Sequence, residues 1–149
     1  MSGAEFLAAW RAGDVVPPMA ATLGFDLADF GEGKVEVSCD PAEFHYSPYD
    51  MAHGGLAAAL LDTATGCAVH TRLPAGVGYA TVSLNVNYLR PITMETGVMR
   101  CVGTVISMGS RMAVAEADLL DSTGRNLARA TSTCLIIKPD RPAPEATSR

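Results

Sequence analysis

The sequence has no pair of cysteines spaced like a zinc or redox motif: Cys39, Cys67, Cys101 and Cys134 stand far apart, with no C-x-x-C among them. Cysteines scattered in this way read as free, buried thiols in a reducing compartment. Histidine is scarce as well. His45, His53 and His70 form no ligand pattern such as H-E-x-x-H, so no metal is expected. There is no G-x-S-x-G elbow, which removes the common serine-hydrolase signature. Basic residues form no run, and eleven Lys and Arg against sixteen Asp and Glu give a net charge of -5. Nucleic acid is therefore not an expected partner, because phosphate contact needs a concentrated basic face. The N-terminus, Met1-Ser2-Gly3-Ala4-Glu5-Phe6, lacks both a basic start and a sustained apolar core. It does not read as a signal peptide, and a cytoplasmic location is expected.

What is present is a chain of 149 residues, 48% apolar and 18% charged, a composition and length that suit one packed globular domain. Residues 4–12 predict a short amphipathic helix with Phe6, Leu7 and Trp10 on one side, packed on the domain's surface and stopped by Gly13-Asp14 and Pro17-Pro18. Between residues 23 and 40, two extended stretches flank Gly31-Glu32-Gly33, a hairpin signature. An irregular loop follows, then the most apolar helix candidate, residues 53–72. After Leu73-Pro74-Ala75-Gly76 the period changes to two, with Val82, Leu84, Val86 and Tyr88 on one face and Thr81, Ser83, Asn85 and Asn87 on the other. Three further strands are predicted over 97–107, 112–120 and 127–137, divided by turn-forming residues. The expected organisation is an N-terminal helix and linker over 1–19, one domain over 20–138 and a Pro-rich tail over 139–149. Six antiparallel strands and one long helix imply an α+β layer fold in which the sheet curls around the helix. The apolar helix is about long enough to cross a bilayer at ~1.5 Å per residue, but three glycines, a carboxylate and a histidine make it a core helix instead.

Asp62 is the one formally charged residue between Gly54 and Thr71. At about 100° per residue it shares its side of the helix with Gly55, Ala58, Ala59, Thr65, Gly66 and Val69, all small or apolar. A carboxylate in such company is hydrogen-bonded, paired or used in chemistry, and local sequence leaves a structural hydrogen bond open beside a catalytic role. At the helix start, His53-Gly54-Gly55 offers unsatisfied backbone N–H groups, the positive end of the helix dipole and room for a carbonyl to approach. Alone, the same glycines would also suit a tight turn. Gly54 and Asp62 are eight residues apart, which on one helix is about 12 Å along the axis and about 80° around it. One chain cannot bring both to one carbonyl carbon, so joint action requires a two-fold partner with antiparallel helices.

Tyr46-Ser47-Pro48, His53-Gly54-Gly55, Asp62 nine residues after that histidine, and the run Thr81-Val82-Ser83-Leu84-Asn85-Val86-Asn87-Tyr88-Leu89-Arg90-Pro91 together resemble the hotdog-fold acyl-CoA thioesterases of the PaaI-like, phenylacetate-pathway type. The resemblance spans roughly residues 20–138 and implies a six-stranded antiparallel sheet wrapped around one long helix. It implies that Asp62 is the nucleophile or the general base, that Gly54 donates the oxyanion N–H and that Thr81 positions the acid or its water. It also implies that His53 shapes the helix start and that Gly55 belongs to the substrate site. Ser47 stands where many members carry Asn, a departure that leaves a turn role and a catalytic role open. The resemblance further implies pantetheine along a dimer interface, Arg90, Ser110 and Arg111 near the nucleotide phosphates, and a homodimer or homotetramer. Coenzyme A is then part of the substrate and no resident cofactor is expected. An aryl- or medium-chain acyl-CoA thioesterase is the leading expectation. A hotdog enoyl-CoA hydratase or dehydratase using His53 or His70, and a non-catalytic acyl-CoA-binding module, are the alternatives.

Overall fold

The computed structural model describes residues 1–139, so all of the tail but Pro139 lies outside the described residues. Helices α1 (Gly3–Ala12) and α2 (Pro18–Leu23) precede strands β1 (Phe25–Gly31) and β2 (Lys34–Cys39). The long helix α3 (Gly54–His70) follows, and then β3 (Gly78–Tyr88), β4 (Met99–Met108), β5 (Met112–Leu120) and β6 (Asn126–Ile137). The six strands form one antiparallel sheet in the order β1-β2-β4-β5-β6-β3, and α3 lies across it in contact with β2 to β6. This is the single antiparallel sheet around one helix that the periodicities predict, and the hotdog fold that the resemblance implies.

α3 is buried nearly all round, with Leu60, Leu61, Ala64, Thr65, Ala68 and Val69 fully enclosed. Small residues allow it to lie close to the sheet. A Cβ on Gly103 of β4 would fall 2.3 Å from the Ala64 carbonyl oxygen, so glycine there is a condition of the helix-sheet contact. The Thr65 hydroxyl, buried in the same layer, donates to the Leu61 carbonyl at 2.8 Å and so leaves no polar atom stranded.

The N-terminal helix is more closely bound to the domain than the surface packing expected for it. Leu7 and Trp10 are buried in the same core as Leu60, Val35 and Leu119. Ser2 and Glu5 form a capping box at its start, and Gly13 ends it in a left-handed conformation. Its first residue abuts the end of α3: Gly3 N–H donates to the Leu73 carbonyl at 3.0 Å, and a Cβ on Gly3 would overlap the His70 carbonyl. α2, which begins at Pro18 in the position where proline suits a helix, is an element the sequence reading did not predict, and it straddles the expected start of the domain at residue 20.

β3 departs from strict alternation. Thr81 pairs with Cys134 and Ser83 with Thr133, so Val82 is the extra residue of a bulge and stands 54% exposed. The bulge turns Thr81 to the same side as Leu84 and Val86, which pack on the core, whereas unbroken alternation had placed it on the opposite face. β3 is also an edge strand, and every side chain the site needs from it faces α3 because of this one inserted residue.

Candidate active site

Asp62 lies mid-helix on α3, half-buried, with Thr63 beside it. The Thr81 hydroxyl donates to Asp62 Oδ1 at 2.8 Å. Both residues line a pocket of about 330 Å³ whose other walls come from α1 and α2 (Phe6, Trp10, Ala20) and from Cys67, His70 and Tyr79. The pocket is mostly apolar and aromatic, which limits the water able to compete for a carboxylate in its lining. Burial lowers the pKa of His70 below the ordinary histidine value. Burial also pushes the Cys67 thiol up to about 12 and the Tyr79 phenol well above its usual range. Cys67 and Tyr79 therefore keep their protons and His70 stays a neutral imidazole, so Asp62 and His70 are both able to accept a proton, and of the two Asp62 is the one oriented by the Thr81 hydroxyl.

The start of α3 is built differently. His53 is the N-cap, and its Nδ1 accepts the Gly55 N–H at 2.8 Å while its carbonyl accepts the Leu56 N–H. Among the described residues these bonds leave the Gly54 N–H as the unengaged donor at the helix start. Gly55, assigned with the substrate site, uses its own N–H within the cap. The Tyr88 hydroxyl donates to the Gly54 carbonyl at 2.7 Å and fixes that glycine against the end of β3. The preceding loop is held by buried His45, whose Nδ1 accepts from Ala42 N–H and whose Nε2–H donates to the Leu23 carbonyl. That assigns the His45 tautomer and ties the approach to α3 to the end of α2. Gly54, His53, Tyr88 and Arg90 line a second, more open pocket of about 460 Å³.

Asp62 and Gly54 thus belong to separate pockets of one chain, as their eight-residue spacing predicts. Thr81 joins Asp62, and Arg90 joins Gly54 while its Nη1 donates to the Asn126 carbonyl. Ser110 and Arg111 sit exposed in the β4–β5 turn near the start of β3, with the Arg111 carbonyl accepting from Ile136 N–H. Ser47 is a loop brace: its hydroxyl donates to the Met51 carbonyl and accepts from Tyr49 N–H, and it lines neither pocket. Sequence reading did not single out Tyr79 as part of the site, nor did it bring Phe6 and Trp10 to Asp62. Phe6 and Trp10 read as the packed side of a surface helix, and nothing local links residues 6, 10 and 79 to residue 62.

Residues 49–128, which contain the helix start, Asp62 and β3, match the family described as the thioesterase superfamily. The chain belongs to the thioesterase superfamily. A relative in Halobacterium salinarum, named as a candidate esterase, is 36% identical over 127 residues, 79% of this chain and 83% of the relative. A Ralstonia eutropha structure, named as a candidate thioesterase and phenylacetic acid degradation-related protein, is 26% identical with a TM-score of 0.78. The match covers 87% of this chain and 98% of that one. The PaaI protein of the Escherichia coli phenylacetic acid degradation operon shares the fold at a TM-score of 0.78 and 20% identity, over 90% of this chain and 96% of that one. Membership in this superfamily bears out the resemblance carried by His53-Gly54-Gly55, Asp62 and the β3 run. Among the described residues, no helix is long and apolar enough to cross a membrane.

Proposed function

We propose that the protein hydrolyses an acyl-CoA thioester to a free acid and coenzyme A, at a site that two copies build together. The observation that carries this reading is the Thr81-to-Asp62 hydrogen bond in the lining of a mostly apolar pocket. It engages one carboxylate oxygen and leaves the other for water or the thioester. Water adds to the carbonyl carbon as Asp62 takes its proton, or Asp62 attacks directly and water then cleaves the anhydride. Either route places negative charge on the carbonyl oxygen, where Gly54 N–H of the partner subunit and its helix dipole act as the oxyanion donor. Collapse expels coenzyme A, which carries the sulfur away. No resident cofactor is invoked.

Edge strand β3 supports the shared site. Tyr79 and Thr81 mark its Asp62 end, and Tyr88 marks its Gly54 end. Antiparallel pairing of β3 with its copy exchanges the ends, bringing each Asp62 towards the partner's Gly54. The same exchange sets Ser110 and Arg111 at the end where the partner's Arg90 lies, a cationic pair suited to nucleotide phosphates. Gly55, Ala58, Ala59 and Thr63 leave the α3 side next to Asp62 only partly covered within one chain, which suits the approach of a second helix. A tetramer of two such dimers extends the proposal, because exposed Met112 and Leu135, paired across β5 and β6, offer apolar surface to bury. The four cysteines are free and buried, which fits a reducing, cytoplasmic setting.

The test is complementation. Asp62→Asn and Gly54→Pro variants are each expected to be nearly inactive towards a panel of aryl, short and medium acyl-CoAs. Mixed and re-equilibrated, they should regain about one quarter of wild-type thiol release, because half the dimers carry one intact shared site. No recovery, with exchange of subunits verified, would sink the shared site. Wild-type protein that releases no thiol from any substrate would sink the hydrolase. A hydratase has one observation in its favour, His70 in the Asp62 pocket. Water addition to an enoyl-CoA without thiol release would identify it, and binding without turnover would identify a binding module.

A further inference from the structure

The Asp62 pocket ends on Tyr79, and that residue has a second neighbourhood. Behind it lies a small core cluster of Val69, Leu73, Ala113, Ala115 and Cys134, separate from the main core, against which Tyr79 packs. Tyr79 both lines the pocket and packs on that cluster. Its ring is therefore a partition between a cavity and a packed interior. The partition is held from three sides. Gly66 of α3 makes room for it, since a Cβ there would stand 2.6 Å from Tyr79 Cε2. His70 flanks it with ring centroids 5.5 Å apart, and Phe6 continues the aromatic wall at 5.4 Å from His70. The phenol lies against the Cys67 thiol, which also lines the pocket.

We propose that Tyr79, seated in the gap left by Gly66, is the specificity-determining residue that sets how long an acyl group the Asp62 pocket accepts. This rests on the reading of that pocket as the acyl site of a thioesterase. An acyl group whose carbonyl sits at Asp62 runs inward along Phe6 and His70 and stops at the Tyr79 ring. Aryl and compact acyl groups fill this space and stack on its aromatic wall, whereas a long straight chain meets the ring before its end is buried. Shortening the side chain opens the pocket into the space before Val69 and Ala113. Adding a Cβ at Gly66 has the opposite effect. The interior behind the ring is close-packed, so the displaced ring moves into the cavity.

Binding and turnover measured on one acyl series separate this inference from the reading beneath it. Calorimetric titration of Asp62→Asn with intact straight-chain acyl-CoAs of increasing length, and with a phenyl-substituted acyl-CoA, reads the pocket without hydrolysis. Affinity is expected to rise about three- to fourfold per methylene and then level off at a break set by the ring. Adding Tyr79→Leu should move the break to longer chains, adding Gly66→Ala should move it to shorter ones, and Tyr79→Phe should leave it in place. The wild-type background should show the same shifts in the chain-length profile of thiol release. A break unchanged in both Tyr79→Leu and Gly66→Ala, each folded by circular dichroism, overturns the role of Tyr79 whether or not the protein is a thioesterase. Binding with the expected shifts but no thiol release from wild type would retain the partition and overturn the hydrolase. Failure to bind any member of the series overturns both.

Discussion

The two ends of β3 do opposite work. At its start, Tyr79 and Thr81 close a pocket of side chains around Asp62, and catalytic potential there resides in a carboxylate whose orientation another side chain controls. At its end, Tyr88 braces Gly54, and the chemical asset is a backbone N–H in an open groove. A side-chain site needs enclosure, because a dry wall strengthens the carboxylate's contacts and keeps its neighbours neutral. A backbone donor needs only to be free and aimed, which a helix start provides without any particular side chain. Under the proposed hydrolysis the two ends would supply complementary halves of acyl transfer, joined by a second copy of the chain.

The sharpest way to break the comparison is to remove the side-chain half. Asp62→Asn keeps the Thr81 bond geometry but loses the base or nucleophile, and thiol release should fall about 100- to 10,000-fold with folding intact by thermal melting. The backbone half is removed by Gly54→Pro. Gly54 is the first helical residue and His53 before it is at φ -58 and ψ 139, a conformation that accepts a following proline. Helix α3 should therefore survive while the N–H is lost, with kcat reduced about 100- to 1000-fold. Thr81→Val tests orientation without touching the carboxylate. It should lower kcat about tenfold with KM little changed, as loss of one hydrogen bond to a charged group implies, and Thr81→Ser should restore most of it.

The smallest expected effect is on stability. The folded pKa of His70 lies below the ordinary value, so the unfolded chain binds a proton first as pH falls through about 6.5. The stability contributed by keeping His70 neutral is present above that pH and is lost as pH falls towards the folded pKa. Urea denaturation at pH 7.5 and 5.5 should show a drop on acidification that is smaller in His70→Gln; an equal drop in both would assign the loss to other groups.

Much of this was legible before any coordinate. Six strands, the core helix and the isolation of Asp62 follow from periodicity and from the cost of burying a carboxylate among alanines and glycines. The spacing of Gly54 and Asp62 already implied that joint action on one carbonyl would require two chains. Ser47 was balanced between turn and chemistry, and its hydroxyl bonds within its own loop, to Met51 and Tyr49. Thr81 was named from its place in a motif while the alternation assigned it to the wrong face. The bulge at Val82 resolves that contradiction, and a bulge leaves little mark on a pattern that remains apolar and polar by turns.

What the sequence by itself determined is the local and periodic part: which segments are helix or strand, which faces are apolar, and that one carboxylate stands where solvent is scarce. These follow from interactions between residues a few positions apart. Only the tertiary structure decided that α1 and α2 wall the Asp62 pocket, that Tyr79 divides that pocket from a second core cluster, and that Thr81 turns inward. Each of these depends on contacts between residues distant in the chain, such as Phe6 with His70 and Gly66 with Tyr79, whose distances are set when the sheet closes around the helix.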